Sequence, residues 1–227
     1  MKRILNFLAV IAAGLAPAAV ARADFAAGQT AHQAGDYATA LAEFQEGAAE
    51  GESESMFGLG ILYAHGRGVP KNAAKAIEWY GKAAETGSVA AMYNLGTIHY
   101  QGAGVPQDHA LAFDWFGRAA ESGLPAANYN LGVMYLNGQG VEKDPAAGFK
   151  QLRQAAEAGL AAAQYRVGKM YADGEGVETD LPAAYFWLTV AFGQGVQAAA
   201  EPLKTIGAQL TSEQRVEAEA KAQDFGR

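Results

Sequence analysis

The stretch AMYNLGTIHYQGAGVPQDHALAFDWFGRAAESG, residues 91–123, decides the fold, because its pattern recurs before and after it in one fixed register. A shift of 36 residues lays Gly96 on Gly60, Gly132 and Gly168, and Gly102 on Gly66, Gly138 and Gly174. The same shift aligns Gly104 with Gly68, Gly140 and Gly176, Val105 with Val69, Val141 and Val177, and Gly123 with Gly87, Gly159 and Gly195. Columns that stay in phase at a period between roughly 20 and 50 residues mark a stacked repeat array.

Within the unit, Met92, Leu95, Gly96 and His99 fall at i, i+3, i+4 and i+7, the spacing of an amphipathic helix over 91–101. This is helix A. It stops at Gly102, and the run GAGVP supplies glycines that take positive φ and then a proline that cannot prolong the helix. Asp108 opens helix B, with Asn72, Asp144 and Asp180 as its counterparts, each able to accept a hydrogen bond from a free N–H of the first helical turn. Helix B is expected to run to about Glu121, with Ala112, Trp115, Phe116, Ala119 and Ala120 inward and Gly123 as its C-terminal glycine. The small residues Gly96, Ala112 and Ala119 let the two helices approach closely, while Trp115 and Phe116 fill the gap to the neighbouring pair. No unit buries its faces alone.

The chain therefore reads as an all-α solenoid of antiparallel helix pairs. Residues 24–53 form a shortened first unit in which GDY replaces the long turn, and four full repeats occupy 54–197. Residues 198–227 read as two capping helices split near Thr211, where Thr211 or Ser212 caps and Glu213 and Gln214 follow. The third repeat departs from the others, with Gln151 in place of Trp79, Trp115 and Trp187 and Gly148 in place of alanine. It is expected to pack least well. His99, standing where Tyr63, Tyr135 and Tyr171 stand, is expected to be a core or edge substitute.

At the N-terminus, Lys2 and Arg3 precede an apolar run from Ile4 to Val20 that ends in Ala21-Arg22-Ala23, so residues 1–23 read as a cleaved secretory signal. Cleavage is expected between Ala23 and Asp24, giving a periplasmic or secreted protein. A membrane anchor is the alternative, but Asn6 and Pro17 interrupt a run about as long as the shortest spans. Removal of Lys2, Arg3 and Arg22 leaves 14 basic against 24 acidic residues. A net charge of that sign disfavours nucleic acid and anionic lipid as partners. The chain has no cysteine, so an exported protein of this sequence relies on helix packing and not on disulfides.

The pattern resembles the Sel-one-like repeat family, a relative of the tetratricopeptide repeats. The residues that carry the likeness in the second full unit are Ala91, Leu95-Gly96, His99 or Tyr100, Gly102 to Val105, Asp108, Ala112, Trp115, Ala119-Ala120 and Gly123. It covers residues 55–195, and the first short unit looks more like a tetratricopeptide repeat. The resemblance implies a right-handed superhelix that acts as a monomeric scaffold, binding protein partners along a concave face lined by the A helices. Fold alone does not fix function.

No catalytic arrangement emerges from the residues. A cysteine-rich branch of the family is linked to β-lactam binding or hydrolysis, but the cysteines are absent here, as are Ser-x-x-Lys and Gly-x-Ser-x-Gly arrangements. His32, His65, His99 and His109 include no pair at metal-ligand spacing, and the Gly-x-Gly turns follow helices and lack the lysine of a phosphate loop. The loop from Asp173 to Asp180 lacks the acidic ladder of a calcium site. No enzyme, cofactor or metal is expected. With Met92, Leu95 and His99 inward, helical spacing sends Asn94, Thr97 and Gln101 to the opposite face. Their counterparts include Asn130, Asn137, Arg166 and Lys169, bordered by Tyr93, Tyr100 and Tyr129. Amides pair with an extended peptide backbone, tyrosines supply rigid contact area, and Arg166 with Lys169 takes a carboxylate. The expected partner is a protein or peptide, specifically an acidic or C-terminal segment. A β-lactamase-type hydrolase and a peptidoglycan-binding protein are the alternatives.

Overall fold

The structure, a computed structural model, describes residues 25–225; the expected signal segment and its cleavage point lie outside the described residues. The elements run α1 (Phe25–Gln33), α2 (Tyr37–Ala49), α3 (Ser53–His65), α4 (Ala73–Glu85), α5 (Val89–Gln101) and α6 (His109–Glu121). They continue with α7 (Pro125–Asn137), α8 (Pro145–Glu157), α9 (Ala161–Asp173), α10 (Leu181–Gly193), α11 (Ala200–Gly207) and α12 (Ser212–Asp224). Each helix from α1 to α10 packs on the next, and α11 and α12 both pack against α10. The fold is an all-α solenoid of helix pairs, with α3, α5, α7 and α9 as the A helices of the full repeats and α4, α6, α8 and α10 as their B helices.

The expected punctuation is in place. Gly66, Gly102, Gly138 and Gly174 end the A helices in the left-handed region, with φ between 67 and 69°. The B helices open on side-chain caps: Asn72 accepts from Lys75 N at 3.0 Å, Asp108 from Leu111 N at 2.9 Å and Asp180 from Ala183 N at 2.9 Å. Asp144 accepts from the N–H groups of both Ala146 and Ala147 at 3.0 Å. Each such cap contributes about 1 kcal/mol.

What fixes the distance within a pair is a glycine on helix A facing a large side chain on helix B. A Cβ at Gly96 would lie 2.7 Å from Cδ1 of Phe116, one at Gly132 2.5 Å from Cγ of Leu152, and one at Gly168 2.7 Å from Cγ of Leu188. Gly60 stands against Tyr80 in the same way, and in the short first pair Gly28 stands 2.6 Å from Cε1 of Phe44. The facing side chains are enclosed, from 3% exposed at Phe44 to 0% at Leu152 and Leu188. This corrects one expectation. Of the adjacent aromatics Trp115 and Phe116, only Phe116 is fully buried; Trp115 is half-buried and packs back on the preceding pair, with the Arg118 guanidinium 4.4 Å from its ring centre.

A second glycine column sets the distance between pairs. Gly104, at φ 82°, lies so close to the start of α4 that a Cβ would sit 2.5 Å from that of Ala73, and Gly140 meets the His109 carbonyl in the same way. The third repeat is not loose inside its pair. Gly148 faces Gly132 backbone to backbone with Leu136 against Gly148 and Leu152 against Gly132, and Leu152, Ala155 and Ala156 are fully buried. At the C-terminus Thr211 and Gln214 form a capping box, and Phe225 packs edge-on against Phe186 and Trp187 at 5.6 and 5.2 Å. That ring contact closes the last repeat while α12 shows charge and Val216 to solvent.

The first pair is tied on by His32, whose Nε2 accepts from the Arg67 guanidinium at 3.0 Å. Burial first, then the positive charge of Arg67 and the neighbouring His65, holds His32 below its ordinary value of 6.5. The folded state thus favours neutral His32, and its contribution to stability is present above that ordinary value and lost as pH falls below it. His32→Gln is expected to lose less stability than wild type between about pH 7 and pH 5 in denaturant titrations. Glycine substitutions separate the packing role from mere helix propensity. Gly96→Ala should cost about 1–3 kcal/mol by overpacking Phe116. Gly81→Ala, inside α4 with nothing within 4 Å of the new Cβ, should stabilise by about 0.5–1 kcal/mol. Thermal or urea unfolding of the two variants checks both signs.

Candidate partner-binding surface

The A helices present positions 58, 94, 130 and 166 in one row, with the positions three and seven residues further on beside them. The structure divides the expected binding residues into three groups. Asn94 and Thr97 are half-buried and line a cavity of about 400 Å³ between α3, α4 and α5. Tyr80 and Ala76 of α4 also line it, and His65 and Lys71 stand at its rim as exposed basic side chains. The Tyr80 hydroxyl is hydrogen-bonded to Asn94; burial holds this phenol above its ordinary value, and the Asn94 bond partly offsets that. Phe116, Leu152 and Leu188 stand in the same column without a hydroxyl, so this polar floor belongs to the first full repeat alone. The Thr97 hydroxyl donates to the Tyr93 carbonyl at 3.0 Å, inside its own helix.

The second group joins one repeat to the next. Tyr93 packs at 5.5 Å on Phe116, and its hydroxyl accepts from Asn130 at 3.4 Å. Tyr100 donates to Gln139 Oε1 at 3.1 Å, and Asn137 donates to the same oxygen at 3.2 Å. Tyr129 packs against the cluster around Leu152 and Val167. These polar groups hold neighbouring repeats together. In the third group Gln101 and Arg166 are exposed, whereas Lys169 is paired with Asp173 at 3.1 Å in its own helix turn. An exposed i,i+4 pair of this kind is weak, so Lys169 and Arg166 both remain on the solvent side of α9.

Sequence reading left out Lys71 and Tyr80. Tyr80 could have been found as the one hydroxyl in its column; Lys71 lies in a turn where no periodicity points to it. Among the described residues no group of three His, Asp or Glu side chains is placed to hold a metal ion. In the loop from Asp173 to Asp180, both terminal carboxylates are engaged, one with Lys169 and one as the cap of α10. No described helix is long and apolar enough to cross a membrane.

The comparisons with known proteins agree with this architecture. A model of the Sel1 repeat matches residues 53–88, 89–124, 125–160 and 161–196, each beginning at the first residue of α3, α5, α7 or α9. A protective antigen present in uropathogenic Escherichia coli strains, displaying an SLR fold, is 37% identical with a TM-score of 0.72, over 82% of this chain and 40% of that one. A Sel1 repeat protein from Oxalobacter formigenes is 36% identical with a TM-score of 0.68, over 74% of this chain and 49% of that one. The chain thus spans less than half the length of either structure. No curated protein matches it. With four matched repeats and the same pairing of helices, the chain belongs to the Sel1 repeat family.

Proposed function

We propose that the protein is an exported, non-catalytic scaffold that binds a protein segment on its A-helix face, at the cavity between α3 and α5. Proteins built from Sel1 repeats generally mediate protein–protein interaction. The observation that carries the finer reading is the cavity itself: it joins Asn94 and Thr97 to an apolar wall and a rim formed by His65 and Lys71. On a chain with net charge −7, a locally basic rim favours an acidic side chain or a terminal carboxylate over other peptide groups. Export rests on the signal pattern of residues 1–23, and an envelope location follows from it. The partner-binding unit is a monomer in this reading.

The test is a pull-down from envelope extract followed by titration of the recovered partner. Thr97→Glu places a carboxylate in the cavity and should weaken retention about tenfold or more, with helicity unchanged by circular dichroism. Equal retention by wild type and Thr97→Glu would remove the cavity from the reading. N-terminal sequencing of the envelope-fraction protein should begin at Asp24. Purified protein should neither turn over nitrocefin nor cosediment with peptidoglycan; either activity would replace the scaffold reading with the corresponding alternative.

A further inference from the structure

A second cavity opens one step earlier along the A helices, between α1, α2 and α3, with a volume of about 150 Å³. Three of its lining residues stand 36 positions before three that line the cavity between α3 and α5. Phe44 takes the place of Tyr80, Gly58 that of Asn94 and Ile61 that of Thr97. Each exchange removes a polar group. At the position of Gly58 the later repeats carry Asn94, Asn130 and Arg166, so the loss belongs to this step alone.

The floor is a ring held between two glycines. Phe44 is 3% exposed, and a Cβ at Gly28 would lie 2.6 Å from its Cε1 and one at Gly58 2.7 Å from its Cε2. Phe25 stacks on the same ring at 5.8 Å between centres, and Phe25, Phe57 and Ile61 are half-buried, so the walls turn apolar surface toward solvent. The lining includes no carboxylate, ammonium or guanidinium. His32 stands in it as a neutral ring, its Nε2 accepting from Arg67. An unpaired charge placed here would lose its hydration without return, whereas an apolar group would leave water. A cavity of this size with apolar walls accommodates one ring or branched aliphatic group.

The two cavities are continuous along one face of α3. Gly58 and Ile61 line the first and Ala64 and His65 the second, with Ile61 and His65 one helical turn apart. We propose that the segment bound at the cavity between α3 and α5 also lodges a leucine- or phenylalanine-sized side chain between α1 and α3, so that a partner is recognised by an acidic group and an apolar anchor together. This rests on the acidic reading of the basic-rimmed cavity. Successive A helices lie about 10 Å apart. That distance is spanned by about three residues of an extended left-handed backbone, whose side chains three apart share a face.

The experiment titrates the ¹⁵N-labelled protein with Ac-Leu-Ser-Ser-Glu-NH2, with the same peptide in reversed order, and with versions carrying alanine for leucine or glutamine for glutamate. The better-bound order should shift the amides of Gly58 and Ile61 together with those of Asn94 and Thr97, about fivefold more tightly than its alanine version. A free C-terminal carboxylate in the glutamine version tells a chain end from an acidic side chain. Ile61→Gln, folded by circular dichroism, should erase the difference between leucine and alanine; should it fail to fold, the wild-type comparison carries the test. Equal affinity of the leucine and alanine peptides, with shifts at Asn94 and Thr97 only, would overturn the apolar anchor and leave the acidic reading in place. Equal affinity of the glutamate and both glutamine peptides, with shifts at Gly58 and Ile61 only, would overturn the acidic reading and the paired recognition built on it. Shifts at Gly58 that saturate as readily with N-acetyl-leucinamide as with the peptide would make the cavity a small-molecule site and overturn the proposal.

Discussion

The structure depends on one contact repeated along its length: a glycine on each A helix against a large side chain on the paired B helix. Gly28 with Phe44, Gly60 with Tyr80, Gly96 with Phe116, Gly132 with Leu152 and Gly168 with Leu188 set the separation of five successive pairs. Because a Cβ at any of these glycines would fall inside the contact distance of the facing side chain, the pairs cannot drift apart or slide without losing dispersion contacts along the whole helix. The facing residue varies from tyrosine to leucine while the glycine does not. The close approach is therefore the constraint, and the side chain is whatever fills the remaining volume.

From that spacing the rest follows in one dimension. Each pair offers two outer faces to its neighbours, and the loop glycine at Gly104 or Gly140 lets the next unit lie directly on the first turn of the preceding B helix. Contacts reach only the adjacent repeat. A stack of this kind must end in something that is not a repeat. Here α12 lies against α10, and Phe225 covers Phe186 and Trp187 from the side where another unit would otherwise stand.

The parts of this plan that were legible in the sequence are those set by local backbone chemistry. Gly102 and its counterparts had to end helices because a left-handed φ favours glycine, and Asp108 and its counterparts had to begin them because their carboxylates reach the free N–H groups of the first turn. Features created between repeats were not legible. Nothing in the order of Trp115 and Phe116 tells which ring meets a glycine and which lies on the preceding pair. Gln151 was visible as a departure, but the sequence suggested general looseness where the structure has a tight pair beside a local cavity.

That contrast bears on where a repeat protein keeps its individuality. Positions that set the geometry recur from repeat to repeat, so a column that breaks its rule marks where one repeat differs from the others. Tyr80 does so by adding a hydroxyl to a column of hydrocarbon side chains, which then bonds Asn94 under the A-helix face. Gln151 does so by placing an amide in a column of indoles, beside a cavity between α6, α7 and α8. The two exceptions both lie on B helices, Tyr80 on α4 in the first full repeat and Gln151 on α8 in the third, and neither is one of the glycines that set the spacing.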